Sequence, residues 1–399
     1  MLTTPFLTDL DSRAAVKGSR DPLGIQPIWT RLGRHVVGNL TTVSNSVRDF
    51  TTLLLGYHFA AVLAEDLGPG SELATFLKWE QLAAYARAAV NKDFAFRGTE
   101  RVRKNLSEST RITLSADRAH QILGNQKIYG LWGLYTVPGR ASGLVEGDPP
   151  RLTPLAQKLI YGLYLPILEA GTGKDARNIR DALRRPESHL DAGGTGNPVL
   201  EAVGRLLHPS LQAKERGFYR FHLLYGGPQD STDGRQRQFA ELLDATLGQE
   251  EFAWSPAMVG QIAKEALARG EEWHALAVRL ARIRTSEEVL GPASALFSHL
   301  LGLDGKSVDE VAKRLEDAWG ENPRAANSRA ETAWAETARG PGLRSVDADA
   351  FGELRGEIAG NDAATGDRWV GIAQALGAGE YSQLLERLVE LYHHCKPHY

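Results

Sequence analysis

Residues 110–164 read TRITLSADRAHQILGNQKIYGLWGLYTVPGRASGLVEGDPPRLTPLAQKLIYGLY, and their reading sets the fold expected of the N-terminal half. Thr113-Leu114-Ser115 is a short extended piece ending in a serine whose hydroxyl suits a helix start. Ala116, Ala119, His120 and Leu123 recur at helical spacing, which predicts a helix over 116–123. Gly124 and Asn125 both tolerate a left-handed backbone and predict a turn. Ile128, Leu131, Trp132 and Tyr135 then predict a second helix over 126–136, with Pro138-Gly139 ending it. A strand over 142–145 follows, then a loop over 146–150 and a return strand over 151–153. Thr153 is placed to cap a last helix over about 154–165, since proline at a first helical position forfeits no hydrogen bond.

Helix, turn, helix, two short strands and a closing helix resembles a winged-helix domain. The resemblance covers about 55 of the 399 residues and lies in the order of the elements. It implies that the second helix could lie in a DNA major groove, where Arg or Lys can read a guanine edge. Mapped onto this chain, the candidates are Asn125, Gln126 and Lys127 at the helix start, with Arg140 and Arg151 near the wing. Arg111 and Arg118 join them as DNA-binding candidates, because residues 97–140 carry eight Lys/Arg against three Asp/Glu. The apolar run Ile128, Leu131, Trp132, Leu134 and Tyr135 argues the other way, for a module that docks a protein.

Whole-chain composition narrows the classes. At 399 residues and 42% hydrophobic, the chain can bury a core and divide into two or three domains. A formal net charge of −3 excludes a polyanion binder that works through bulk charge, so any nucleic-acid contact must be local. The single cysteine, Cys395, offers no intramolecular disulfide, and a reducing cytoplasmic location is the default expectation. The first residues lack a basic then apolar leader, and the apolar run over 53–63 is too short to span a bilayer. A soluble protein with no membrane contact is expected.

The fold class expected is mostly α: an N-terminal helical domain containing the winged-helix-like module, then an all-helical C-terminal domain. Residues 1–23 read as an extended arm, punctuated by Pro5, Gly18 and Pro22. Helices are predicted over 24–37, 44–65 and 72–90, the second apolar nearly all round and therefore buried. Residues 97–104 read as a basic linker into the module, closing a domain of 24–170. Residues 171–234 read as a connector with glycine-rich loops and helices near 175–185, 198–207 and 210–225. From 235 to 399 nine further helices are predicted, and residues 304–372 hold fourteen Asp/Glu against nine Lys/Arg.

Catalytic motifs are wanting. Gly171-Thr172-Gly173-Lys174 fails as a phosphate loop, because Leu168 stands where a first glycine belongs and Asp175 replaces the metal-holding hydroxyl. His393, His394, Cys395 and His398 are soft ligands, but such a terminal cluster is not the two separated pairs of a structural zinc site. Phe218, Phe221 and Tyr225 share a helical stripe and read as core, as do Trp273 and His274. The acid pairs Glu250-Glu251, Glu271-Glu272 and Glu287-Glu288 suit helix starts. No metal and no cofactor is expected.

The function these features point to is a non-catalytic subunit that contacts double-stranded DNA through a local basic patch, or serves as an adaptor to a partner protein. A bacterial DNA-handling or antiviral-defence complex is the setting suggested by texture alone. One alternative is a winged-helix transcriptional regulator whose helical half binds a ligand. Another is an enzyme with scattered residues, for which His120, His208, His222 and Arg220 are the first to inspect.

Overall fold

The computed structural model describes residues 26–193, 196–230, 234–246 and 256–284, with a few positions between 305 and 313. It is mostly helical. The described residues fall into two compact units, one of 33–246 with 268–276, the other of 26–32, 256–267 and 277–284.

The larger unit is built on α2 (Val47–Leu67) and α3 (Glu72–Ala89). The four residues 68–71 join them, and so short a link returns α3 along α2. Gly68 takes a left-handed φ of 89° and its N–H closes the last turn of α2 on the Ala64 carbonyl. The two helices meet closely at Gly56, where a Cβ would stand 2.6 Å from the Phe76 ring. Trp79 fills the space beside it and donates its indole N–H to the Thr52 carbonyl at 2.8 Å. Phe50, Leu53, Leu54, Phe59, Phe76, Trp79 and Leu82 are all fully buried, which is why the continuous apolar pattern of α2 lies in the core.

This core also swallows charge. Arg87 of α3 donates to Asp49 at 2.6 Å and to Asp93 at 2.7 Å, and Tyr135 donates to the same Asp49 carboxyl at 3.1 Å. Burial opposes the Arg87 charge, but the two carboxylates together hold its pKa above the ordinary arginine value. Arg48 pairs with Glu215, which also accepts from the Tyr164 hydroxyl. Lys78 caps the far end of a later helix, donating to the carbonyls of Leu183 and Arg185. Periodicity marks such positions only as polar residues on a buried stripe, and their partners come from distant sequence.

The segment expected to be a basic linker is α4 (Thr99–Glu108), with Gly98 left-handed before it at φ 86°. Strand β1 (Arg111–Ser115) follows, in the place expected of the extended piece. The predicted helix over 116–123 does not form. Asp117 caps a single 3-10 turn, Arg118–His120, by accepting from the Ala119 N–H, and the chain is extended again at Gln121. The reason is local competition: the Gln121 amide donates to the Ala116 carbonyl at 2.9 Å and offers its oxygen to the Gln126 N–H, fixing a loop.

The predicted second helix exists but is broken. It comprises α5 (Gln126–Tyr129), capped by Asn125, and α6 (Leu131–Ala141), divided at Gly130. Pro138 lies inside α6 and Gly139 is buried against Val145 and Leu53, so the helix runs past the expected stop. The hairpin is present as β2 (Val145–Glu146) against β3 (Arg151–Leu152). Thr153 caps α7 (Pro154–Leu159) by accepting from the Ala156 N–H at 3.3 Å. A π-turn, Ile160–Tyr164, then carries the chain into α8 (Leu165–Glu169).

The expected connector is tied into what precedes it. After α9 (Asp175–Arg184), strand β4 (Glu187–Asp191) pairs antiparallel with β1, Arg111 opposite Asp191 and Ser115 opposite Glu187. Its sequence ESHLD has no apolar alternation, and no strand was expected there. Helix α10 (Pro198–Leu206) packs on α3, where Asn91 donates to the Gly204 and Leu207 carbonyls at 3.0 Å each. Helix α11 (Ala213–Tyr219) enters a second π-turn, Arg220–Leu224. That extra residue turns the helix face: Tyr219, His222, Leu223 and Leu224 are buried, whereas Phe221, expected in the core, is 40% exposed.

Helices α12 (Arg235–Thr246) and α13 (Pro256–Ala268) match the spans expected for them. A 3-10 turn, Glu271–Trp273, leads a further helical stretch to residue 284, with Trp273 buried and His274 exposed. The arm over 1–23, the later C-terminal helices, the acidic stretch over 304–372 and the His-Cys tail lie outside the described residues, apart from isolated positions.

Candidate nucleic-acid interface

The sequence candidates separate into three groups. Gln126 is fully buried and is a structural anchor, not a contact residue. Its side-chain N–H groups donate to the Leu77 carbonyl and the Glu80 carboxylate at 2.8 Å each, and its oxygen accepts from the Ile122 N–H at 3.3 Å. Asn125 spends its side chain on capping α5, at 3.3 Å from the Ile128 N–H. Gln126 offers no free edge to read a base, and the Asn125 side-chain oxygen is committed to the cap.

The second group is engaged by the hairpin or by strand β4. Arg151 pairs with Glu146 at 3.2 Å, and Arg140 donates to the Gly147 carbonyl at 2.6 Å. Their charges are therefore partly committed. Arg111 is exposed but stands opposite Asp191 in the β1–β4 register, which weakens its field.

The third group is brought together by the loop over 117–129 and the start of α4. Arg101 donates to the Gln121 carbonyl at 2.7 Å, and Arg97 donates to the Tyr129 carbonyl at the same distance. Those two bonds clamp α4 and its approach against the loop carrying Arg118 and Lys127. Both Arg118 and Lys127 are exposed, with no ion pair among the described residues. Glu100 and Asp117 are the acids on these two segments, and Asp117 is engaged in capping. Four cations thus face two carboxylates, at the surface, next to the exposed side chains of Ile128 and Tyr129.

Beneath this surface lies Glu80, fully buried on α3. Its carboxylate accepts from the Leu131 N–H at 2.7 Å and from Gln126, so it fastens both sides of the Gly130 break. Burial pushes its pKa up to about 7, against the opposing pull of those donors and of Arg97. A Cβ at Gly130 would stand 2.4 Å from the Gln126 carbonyl and 2.6 Å from Glu80, so only glycine fits the break. Neither residue could be singled out from periodicity; the one available signal was a glutamate on an otherwise buried helix face.

The residues named for a scattered active site are engaged separately. Burial lowers the pKa of His222, against the opposing hydrogen bond between its Nδ1 and the Ser142 carbonyl at 3.0 Å. Arg220 pairs with Asp244, His208 receives the Ser210 N–H, and His120 ends the 3-10 turn. At 171–174 the carboxylate of Asp175 accepts from Thr172 and from Arg205, filling the place a phosphate would need. Among the described residues no cluster of three His, Cys, Asp or Glu is placed to hold a metal ion, and no helix is long and apolar enough to cross a membrane. No family model, no curated protein and no solved structure matches this chain.

Proposed function

We propose that this chain contacts DNA through the surface formed by residues 97–101 and 117–129, acting as a binding subunit rather than through chemistry of its own. The observation that carries this reading is the exposure of Arg118 and Lys127 without ion-pair partners, on a loop fixed by Arg97 and Arg101. Unpaired cations held at a surface are what phosphate contact requires, because their release of counterions supplies most of the affinity. The helix expected over 116–123 does not form and the one expected over 126–136 is divided at Gly130, so the contact is assigned to this loop and not to a recognition helix lying in a groove. Fixed hydrogen bonds matter too, since a pre-formed loop loses little entropy on binding.

The test is equilibrium binding of a dye-labelled duplex to the full-length protein at low salt. Lys127→Ala and Arg118→Ala are each expected to weaken binding about three- to tenfold. Arg184→Ala, which removes an exposed cation paired with Asp66, is expected to leave it unchanged. Wild-type affinity in both of the first two variants would refute the proposal.

A further inference from the structure

Three aromatic side chains are strongly exposed among the described residues: Tyr129 at 56%, Tyr161 at 59% and Phe221 at 40%. Tyr161 leans edge-on against His58 and Phe221 against His222. Tyr129 has neither a ring neighbour nor a hydrogen bond to its hydroxyl among the described residues. Ile128 beside it is 53% exposed.

The backbone that presents them is nonetheless held with care. Gln126, immediately before, is fully buried and bonded to Leu77, Glu80 and Ile122. Gly130, immediately after, fits only without a side chain, and Leu131 is fastened to Glu80. Between the two anchors α5 makes a single turn whose residues Lys127, Ile128 and Tyr129 all project into solvent. Arg97 reaches the Tyr129 carbonyl, placing a guanidinium beside the ring's own backbone. A rigidly mounted aromatic flanked by cations matches how unpaired bases are bound: the ring stacks on the base face while the cations take the adjoining phosphates. An intact duplex hides its base faces and leaves such a ring nothing to stack on.

We infer that the tip Lys127-Ile128-Tyr129 is a stacking platform for an unpaired base, so that the preferred ligand is single-stranded or locally opened DNA. This rests on the nucleic-acid reading above and names the form of nucleic acid that the same surface takes. The charge surrounding the tip favours this occupant over an apolar protein surface, which would have to bury Lys127 and Arg97.

The experiment compares one mixed-sequence oligonucleotide, single-stranded and as a duplex, binding the full-length protein at low salt. Tyr129→Ala is expected to weaken single-strand binding about tenfold, the range for losing one aromatic–base stack, and to change duplex binding less than twofold. Tyr129→Trp is expected to restore single-strand binding, which shows that the ring and not the fold is being read. 2-Aminopurine in the strand should be quenched by the wild type and not by Tyr129→Ala. Equal effects of Tyr129→Ala on both ligands, or none on either, would overturn the stacking assignment while leaving the phosphate-contact proposal standing. If the wild type binds neither ligand, both proposals fall; a protein-docking tip would then be the role left for Ile128 and Tyr129.

Discussion

Glu80 is the residue on which the tip depends. A carboxyl whose folded pKa is about 7, against an ordinary 4.5, is bound more tightly by its proton in the folded state. Its contribution to stability is therefore full below about pH 4.5 and is lost as the pH rises through 7, by about 3 kcal/mol in all. Glu80→Gln should flatten the pH dependence of the urea midpoint between those limits; an unchanged profile would remove Glu80 from this role. Gly130→Ala should cost about 1–3 kcal/mol, because its methyl would meet both the Gln126 carbonyl and the Glu80 carboxylate, which is held in place by Leu131 and Gln126. Arg87→Met tests the buried charge network. It strands Asp49 without its cation and should cost about 3–5 kcal/mol by chemical denaturation, far above the effect of an exposed arginine.

At the scale of elements, what the sequence disclosed was decided by range. The long apolar pattern of residues 44–65 and the cap at Thr153 are local signals, and both elements form where expected. The helix predicted over 116–123 does not form, because four residues at helical spacing are outweighed by Asp117 and Gln121, whose side chains bond nearby backbone. Strand β4 was invisible for the opposite reason: ESHLD is polar, and its pairing with β1 is settled by a partner some 76 residues away, as at Thr113 and His189. That pairing should carry stability. Leu114 is fully buried in β1, so Leu114→Ala should cost about 2–5 kcal/mol, whereas Arg111→Ala at the exposed end should cost less than about 0.5 kcal/mol. The two π-turns were equally beyond periodicity, since each shifts a helix face by one residue partway along.

For the molecule as a whole, a net charge of −3 means that the DNA contact proposed above would have to come from a local patch and not from bulk charge. The excess of cations over 97–140 marks the proposed region in the sequence, but not which of its members are free. Gln126 turned inward, Arg140 and Arg151 were committed to the hairpin, and Arg97 and Arg101 emerged as clamps through contacts with residues about twenty to thirty positions away. The proposed contact accordingly uses few charges, and the dependence of affinity on salt counts them. The slope of log affinity against log salt should flatten by about two units for duplex DNA when Arg118 and Lys127 are both changed to alanine, since each phosphate contact contributes about 0.9. A double variant with the slope of the wild type would contradict the account, whatever its affinity.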